Sequence, residues 1–160
     1  MLKTFLLVLL MLLGIGPPAW AALGGQALAQ QAGPETSQTP RSYRIASVPS
    51  TRPATSFSEN IITTSTGTVM REYVNGDGVV FAVHWQGPVL PDLSALFGDY
   101  FQDFKARAEL HRASRKRGAP IAIASDDLVM LSRGRMGRFS GHAYVPALIP
   151  AGVNIHDLLP

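Results

Sequence analysis

Four histidines, His84, His111, His142 and His156, are the side chains of this 160-residue chain best suited to ligate a metal or move a proton near neutral pH. They are scattered, and no two stand at i and i+4 on one predicted helix, the spacing that brings two imidazoles to one ion. A metal site would need His84 and His142 to meet across strands and recruit a carboxylate such as Glu72. Nothing in the spacing demands that. The plainer reading is a histidine on a half-buried sheet face, bonded to a backbone carbonyl. Arg71-Glu72-Tyr73 is the second constellation. On a strand, successive side chains alternate between faces, so Arg71 and Tyr73 share one face and Glu72 takes the other. One of the two charges then turns toward the core side or a sheet edge and needs a partner. A structural ion pair with a neighbouring strand answers that need. A polar cluster at a ligand groove is the sharper alternative, on the Arg71/Tyr73 face or on a face with Glu72 and His84, next to Trp85.

Other chemistry is excluded residue by residue. The chain has no Cys, which removes disulfides, thiolate nucleophiles and Cys-based zinc sites. It holds no Gly-x-Ser-x-Gly elbow, no Gly-rich phosphate loop and no His-Glu-x-x-His. Ser140-Gly141-His142 sets Ser and His on one face of a strand about 7 Å apart, too far for direct proton transfer. Asp126-Asp127 reads as a turn. No catalytic residue, metal ligand or cofactor is therefore assigned. The segment Lys105–Arg117 contains six cations, among them Arg115, Lys116 and Arg117, against Glu109 alone. It is either a solvated helix end and loop or a contact for an anionic envelope surface or acidic partner. The overall charge of +3 is too small to imply nucleic acid.

These residues depend on a short series of elements for their positions. Thr68–Val74 and Val79–Trp85 are β-branched and aromatic runs separated by Asn75-Gly76-Asp77-Gly78, a hairpin signal. Glu59–Thr64 joins them through Ser65-Thr66-Gly67 and completes a three-stranded meander. Along the last strand, Val79, Phe81, Val83 and Trp85 are expected on the core face. Val80, Ala82 and His84 fall on the other, which is apolar enough to need partial cover. Asp92 is a predicted N-cap preceded by Pro91. Leu93, Leu96, Phe97, Tyr100, Phe101, Phe104 and Ala108 then follow a 3.6-residue period, the mark of an amphipathic helix. Ile121–Ala124, Leu128–Arg133 and Arg138–Val145 supply further strands, the last two joined by a turn at Gly134-Arg135-Met136-Gly137. The class is α+β: an antiparallel sheet, meander plus C-terminal hairpin, with one long amphipathic helix across a face.

The hydrophobic fraction of 46% is unevenly spread. Lys3, an apolar run from Phe5 to Ile15 and Ala19-Trp20-Ala21 have the three parts of a secretory signal peptide. As a helix the apolar run spans only ~17 Å, against ~30 Å of bilayer hydrocarbon. No stable span is expected after cleavage, which falls after Ala21 or, alternatively, after Ala29. The expected organisation is a signal peptide at 1–21, a flexible Pro/Ser/Thr-rich lead at 22–56 with at most one short strand around Tyr43–Val48, and a single domain at 57–160. Export argues against a nucleic-acid partner.

Several stretches carry a family likeness. They are Gly67-Thr68-Val69-Met70-Arg71-Glu72-Tyr73-Val74, Gly78 through Pro88, Pro91-Asp92-Leu93 with Phe97-Gly98-Asp99-Tyr100-Phe101, and Gly141-His142-Ala143-Tyr144-Val145-Pro146. Together with the leader and Ala22-Leu23-Gly24-Gly25, they make the chain resemble an exported bacterial family, domain of unknown function 2844. The resemblance covers most of the chain beyond the leader and is weaker over the Pro/Ser/Thr segment. It implies a Gram-negative envelope or secreted protein and supplies no catalytic residues. The reading that follows is an exported, non-enzymatic accessory or binding module of the periplasm or the extracellular space. Its partner would be another envelope protein or an anionic envelope surface. The alternatives are an envelope hydrolase or metal-dependent enzyme built on Glu72, His84 and His142, and a structural component of a surface assembly.

Overall fold

The computed structural model describes residues 23–27, 37–44, 56–114 and 119–159. Seven strands form one antiparallel sheet in the order β1-β2-β3-β4-β7-β6-β5. They are β1 (Ser37–Arg44), β2 (Ser56–Thr63), β3 (Val69–Val74), β4 (Val80–Gly87), β5 (Ile121–Ala124), β6 (Val129–Arg135) and β7 (Arg138–Tyr144). Between β4 and β5 run α1 (Leu93–Phe97), a 3-10 turn (Gly98–Tyr100) and α2 (Phe101–Ser114). A short α3 (Ile155–Leu158) ends the described chain. The α+β class holds, and the sheet is larger than a meander plus a hairpin. It gains β1 along one edge and β5 along the other.

Local chemistry accounts for the turns. Asn75 Oδ1 accepts from the backbone N–H groups of Asp77 and Val79 at 3.0 Å, closing the β3–β4 turn. Asp92 Oδ1 accepts from Ser94 N at 2.8 Å and Ala95 N at 3.3 Å, so the N-cap is where the sequence predicts it. The helix is not continuous. Gly98 caps α1 with φ +51°, and the chain resumes as α2 three residues later. The apolar stripe survives the break: Leu96, Phe97, Phe104 and Ala108 are buried, and Leu93, Tyr100 and Phe101 pack against them.

The core is double. Under the helix lie Ile62, Met70, Val83, Trp85, Ile123, Met130 and Ala143, all from one face of the sheet. On the opposite face Phe57, Tyr73, Phe81 and Ala82 join Ile155 and Leu159, with Leu148, Ile149 and Val153 packed around them. The C-terminal segment is thus the cover that the apolar second face of β4 calls for. One expectation fails here. Phe81 was assigned to the same face as Val83 and Trp85, yet it belongs to the C-terminal cluster. Tyr73 pairs with Ala82 and Val74 with Val80, leaving Phe81 as the extra residue of a β-bulge. The bulge swaps the two faces for everything before it, which sends Phe81 down and Val80 up.

Two segments that the sequence assigns to the lead carry structure. Ser37–Arg44 pairs with β2 along its whole length, Ser37 facing Thr63 and Arg44 facing Ser56. The strand foreseen near Tyr43–Val48 lies earlier, and residues 45–55 fall outside the described ones. Pro40, which has no N–H to donate, is compatible with a strand only at an edge. Leu23–Ala27 forms a plug against the domain. Leu23 N donates to Leu96 O at 3.1 Å, Gly24 N to Val80 O at 2.8 Å, and Val80 N to Gly25 O at 3.0 Å. Leu23 and Ala27 are buried in the helix-side core. Gly24 has φ +78° and lies so close to the Tyr100 ring that a Cβ would collide with it. The proposed leader at 1–21 lies outside the described residues. Among those described, no helix is long and apolar enough to cross a membrane.

Candidate functional site

The register of the central strands decides which candidate residues meet. Arg71 on β3 faces His84 on β4, and His84 faces His142 on β7. Directly opposed side chains in an antiparallel pair hold their Cβ atoms about 4.5–5.5 Å apart, so the three line up across one face. That face is the one whose other end is covered by the C-terminal segment. The end bearing His84 and His142 borders a groove of about 230 Å³, with Gln86, Ser140 and Arg133 supplying its other polar groups and Leu131 part of its wall.

Arg71 is held by its neighbour strand. Its guanidinium donates to Glu59 Oε1 at 2.6 Å, and Glu59 is only 3% exposed. The ion pair with an adjacent strand, the plainer of the two sequence readings, is therefore present. It engages the carboxylate that the register sets opposite Tyr73. His84 has its pKa pushed below the ordinary 6.5, first by burial, then by the Arg71 guanidinium and by His142. A neutral imidazole beside a guanidinium and, across the groove, a second arginine can accept and donate hydrogen bonds to an anionic or polar ligand.

The remaining candidates go elsewhere. Glu72 faces Val83 and Asn60, on the helix side of the sheet, and is fully buried. It cannot share a face with His84, so the Glu72–His84–His142 metal set does not assemble, and the Glu72/His84 surface does not exist. The physical reason is the strand period of two, which the Arg71–His84 register fixes in phase. Among the described residues no three His, Asp or Glu side chains come together as metal ligands. Tyr73 does share the Arg71 face, but it is buried beneath the C-terminal segment and donates through its hydroxyl to Leu158 O at 3.1 Å. It anchors that segment and is closed to a ligand. Trp85 is fully buried against Phe97, their ring centroids 6.0 Å apart. Its Nε1–H has no hydrogen-bond partner among the described residues, and its ring lies over Gly141, where a Cβ would overlap it. Arg115, Lys116 and Arg117 lie outside the described residues.

The groove also holds residues the sequence reading did not select. Gln86 and Ser140 are register partners, and Arg133 faces Ser140 from β6. The alternation of β7 already put Ser140 on the His142 face. Gln86 and Arg133 needed the strand order, which the sequence does not contain. Ser140 and His142 are two apart on one strand, the arrangement judged too long for proton transfer, and Glu59 is engaged with Arg71. Among the described residues the groove brings together imidazole, guanidinium, amide and hydroxyl groups.

The comparison with known families is decisive at this point. The sequence model of DUF2844, a protein of unknown function, matches residues 19–158. The chain belongs to the DUF2844 family. The match begins ahead of the Leu23–Ala27 plug and ends within the C-terminal segment, so both sit inside the DUF2844 unit along with the sheet and helix. Among curated proteins and among solved structures nothing matches.

Proposed function

We propose that this DUF2844 protein is an exported, non-enzymatic binding module of the bacterial envelope, and that its ligand-facing surface is the uncovered half of the sheet at His84 and His142. One observation carries the reading. The C-terminal segment covers only one end of this face, and the other end keeps two aligned histidines, a half-exposed arginine and a polar groove. A buried face with no role would be expected to be apolar throughout. Export rests on the basic start, the apolar run and the Ala19-Trp20-Ala21 site. The ligand is a polar or anionic group, because the groove offers guanidinium, imidazole, amide and hydroxyl donors.

Site-specific photocrosslinking tests both parts. A photoreactive residue at position 142 of the full-length protein is expected to capture a discrete partner, and the same residue at Asp77, in the exposed β3–β4 turn, is not. Equal capture from both positions, or none from position 142, would remove the groove from consideration. Fractionation of the same cells checks export: a protein retained in the cytoplasm sinks that half of the reading.

A further inference from the structure

A second surface lies at the end of the sheet formed by the β6–β7 turn and the start of β5. Arg133, Arg135 and Arg138 are all exposed there, and no ion pair involving them occurs among the described residues. The sequence contains no Asp or Glu between Asp127 and Asp157, so the hairpin carries no acid of its own. At its apex Met136 is 100% exposed. The next most exposed large apolar side chain, Leu110 at 73%, lies on the last turns of α2. That helix end is tied to this end of the sheet, because His111 Nε2 donates to Pro120 O at 3.0 Å. Pro120 in turn borders the same cavity, about 580 Å³, as Arg135, Met136 and Arg138.

From these residues we infer a membrane-contact surface, with a bilayer rich in anionic phospholipid as its occupant. Guanidinium groups pair with phosphate oxygens through two parallel hydrogen bonds. A cluster of arginines without acids is therefore drawn to a negatively charged lipid surface. Met136, fully exposed at the apex, gives the cluster an apolar component that an acidic protein surface would leave unmatched. A lipid interface accommodates it by taking the flexible Met chain into the headgroup–acyl boundary. The hairpin geometry suits this: Gly137, with φ +79°, makes the tight turn that sets Met136 at the apex.

Co-sedimentation of the full chain with vesicles tests the inference. Vesicles of phosphatidylglycerol with phosphatidylcholine are compared with phosphatidylcholine alone. The apolar run from Phe5 to Ile15 contributes to both, so the difference between them reads the cations of the chain, Lys105–Arg117 included, and the R135Q/R138Q variant reads the share of the hairpin. Tighter binding to the anionic vesicles is expected, falling steeply with added salt. Each arginine removed should weaken binding about fivefold, or roughly 30-fold for R135Q combined with R138Q. M136S, which leaves the charge of the hairpin unchanged, should weaken it further by removing the apolar side chain. Arg133 is left unchanged because it also borders the His84 groove. Both sites are exposed turn positions, and an unaltered thermal melt certifies that the variants are folded. Equal binding to the two vesicle types, or full binding by the folded R135Q/R138Q variant, overturns the inference. Capture on immobilised polyglutamate without vesicle binding overturns it too and assigns the surface to an acidic protein. None of these results bears on capture from position 142.

Discussion

His84 is half-buried with a guanidinium on one side and a second imidazole on the other, and each disfavours its protonated form. Its pKa in the folded protein is below 6.5, so between the two values the unfolded chain binds more protons than the folded one. Stability therefore rises with pH through that window and declines as pH falls below 6.5. Urea unfolding midpoints measured across this range should show the slope, and His84→Gln should flatten it. A midpoint that does not move between pH 5 and 7 in the wild type would rule out this account. Gly141 makes a different demand. It lies opposite Trp85, and the indole occupies the space a Cβ would take. Gly141→Ala should cost about 1–3 kcal/mol through overpacking, read as a lower unfolding midpoint with an unchanged m-value. The unpaired Trp85 Nε1–H has no physical explanation among the described residues.

At the level of elements, two contacts hold the parts that flank the sheet. Asp92 caps α1, and its carboxyl pKa is held below the ordinary value, chiefly by the Ser94 hydroxyl. Asp92→Ala should cost about 1 kcal/mol, with the loss visible in thermal melts. Tyr73 anchors the C-terminal segment at Leu158 O. Tyr73→Phe should cost about 1 kcal/mol and speed amide exchange in residues 153–159 while leaving the helix-side core protected. The helix, its cap and its apolar stripe were legible because they depend on periodicity and capping chemistry within one stretch of chain. Arg71 and Tyr73 were legible as face-mates for the same reason. The phase of β4 was not, because the bulge at Phe81 is a property of the β3–β4 pair. Nor was the His84–His142 alignment, which depends on β7 inserting beside β4, a pairing of residues more than fifty positions apart. Glu72 was misjudged as a partner of His84 because alternation fixes faces within a strand, and only register relates one strand's faces to the next.

For the whole molecule, the two covers lie on opposite faces of the sheet. Among the described residues, the helix packs on one face and the C-terminal segment covers one end of the other. What is left open is the strip with His84 and His142, and the arginine-rich end lies beyond it. The plug formed by Leu23–Ala27 extends the folded unit toward the start of the family match at residue 19. Of the two candidate cleavage sites, only the one after Ala21 spares it. Cleavage after Ala29 would remove Leu23 and Ala27 from the core, at about 2–5 kcal/mol for a side chain like Leu23. N-terminal sequencing of the exported protein is therefore expected to begin at Ala22, and a start at Gln30 would contradict the buried plug. On the export reading proposed above, the same plug would give the leader a role in timing. Leu23 is the second residue past that scissile bond, yet the backbone of Leu23 and Gly24 must reach Leu96 and Val80. A peptidase needs that stretch extended and free. On that reading cutting and docking would compete for the same few residues, and the last piece of the core would settle only after the chain is released. Maturation would then act as the final folding step, leaving an uncut precursor with an unfinished core and a lower melting temperature than its product.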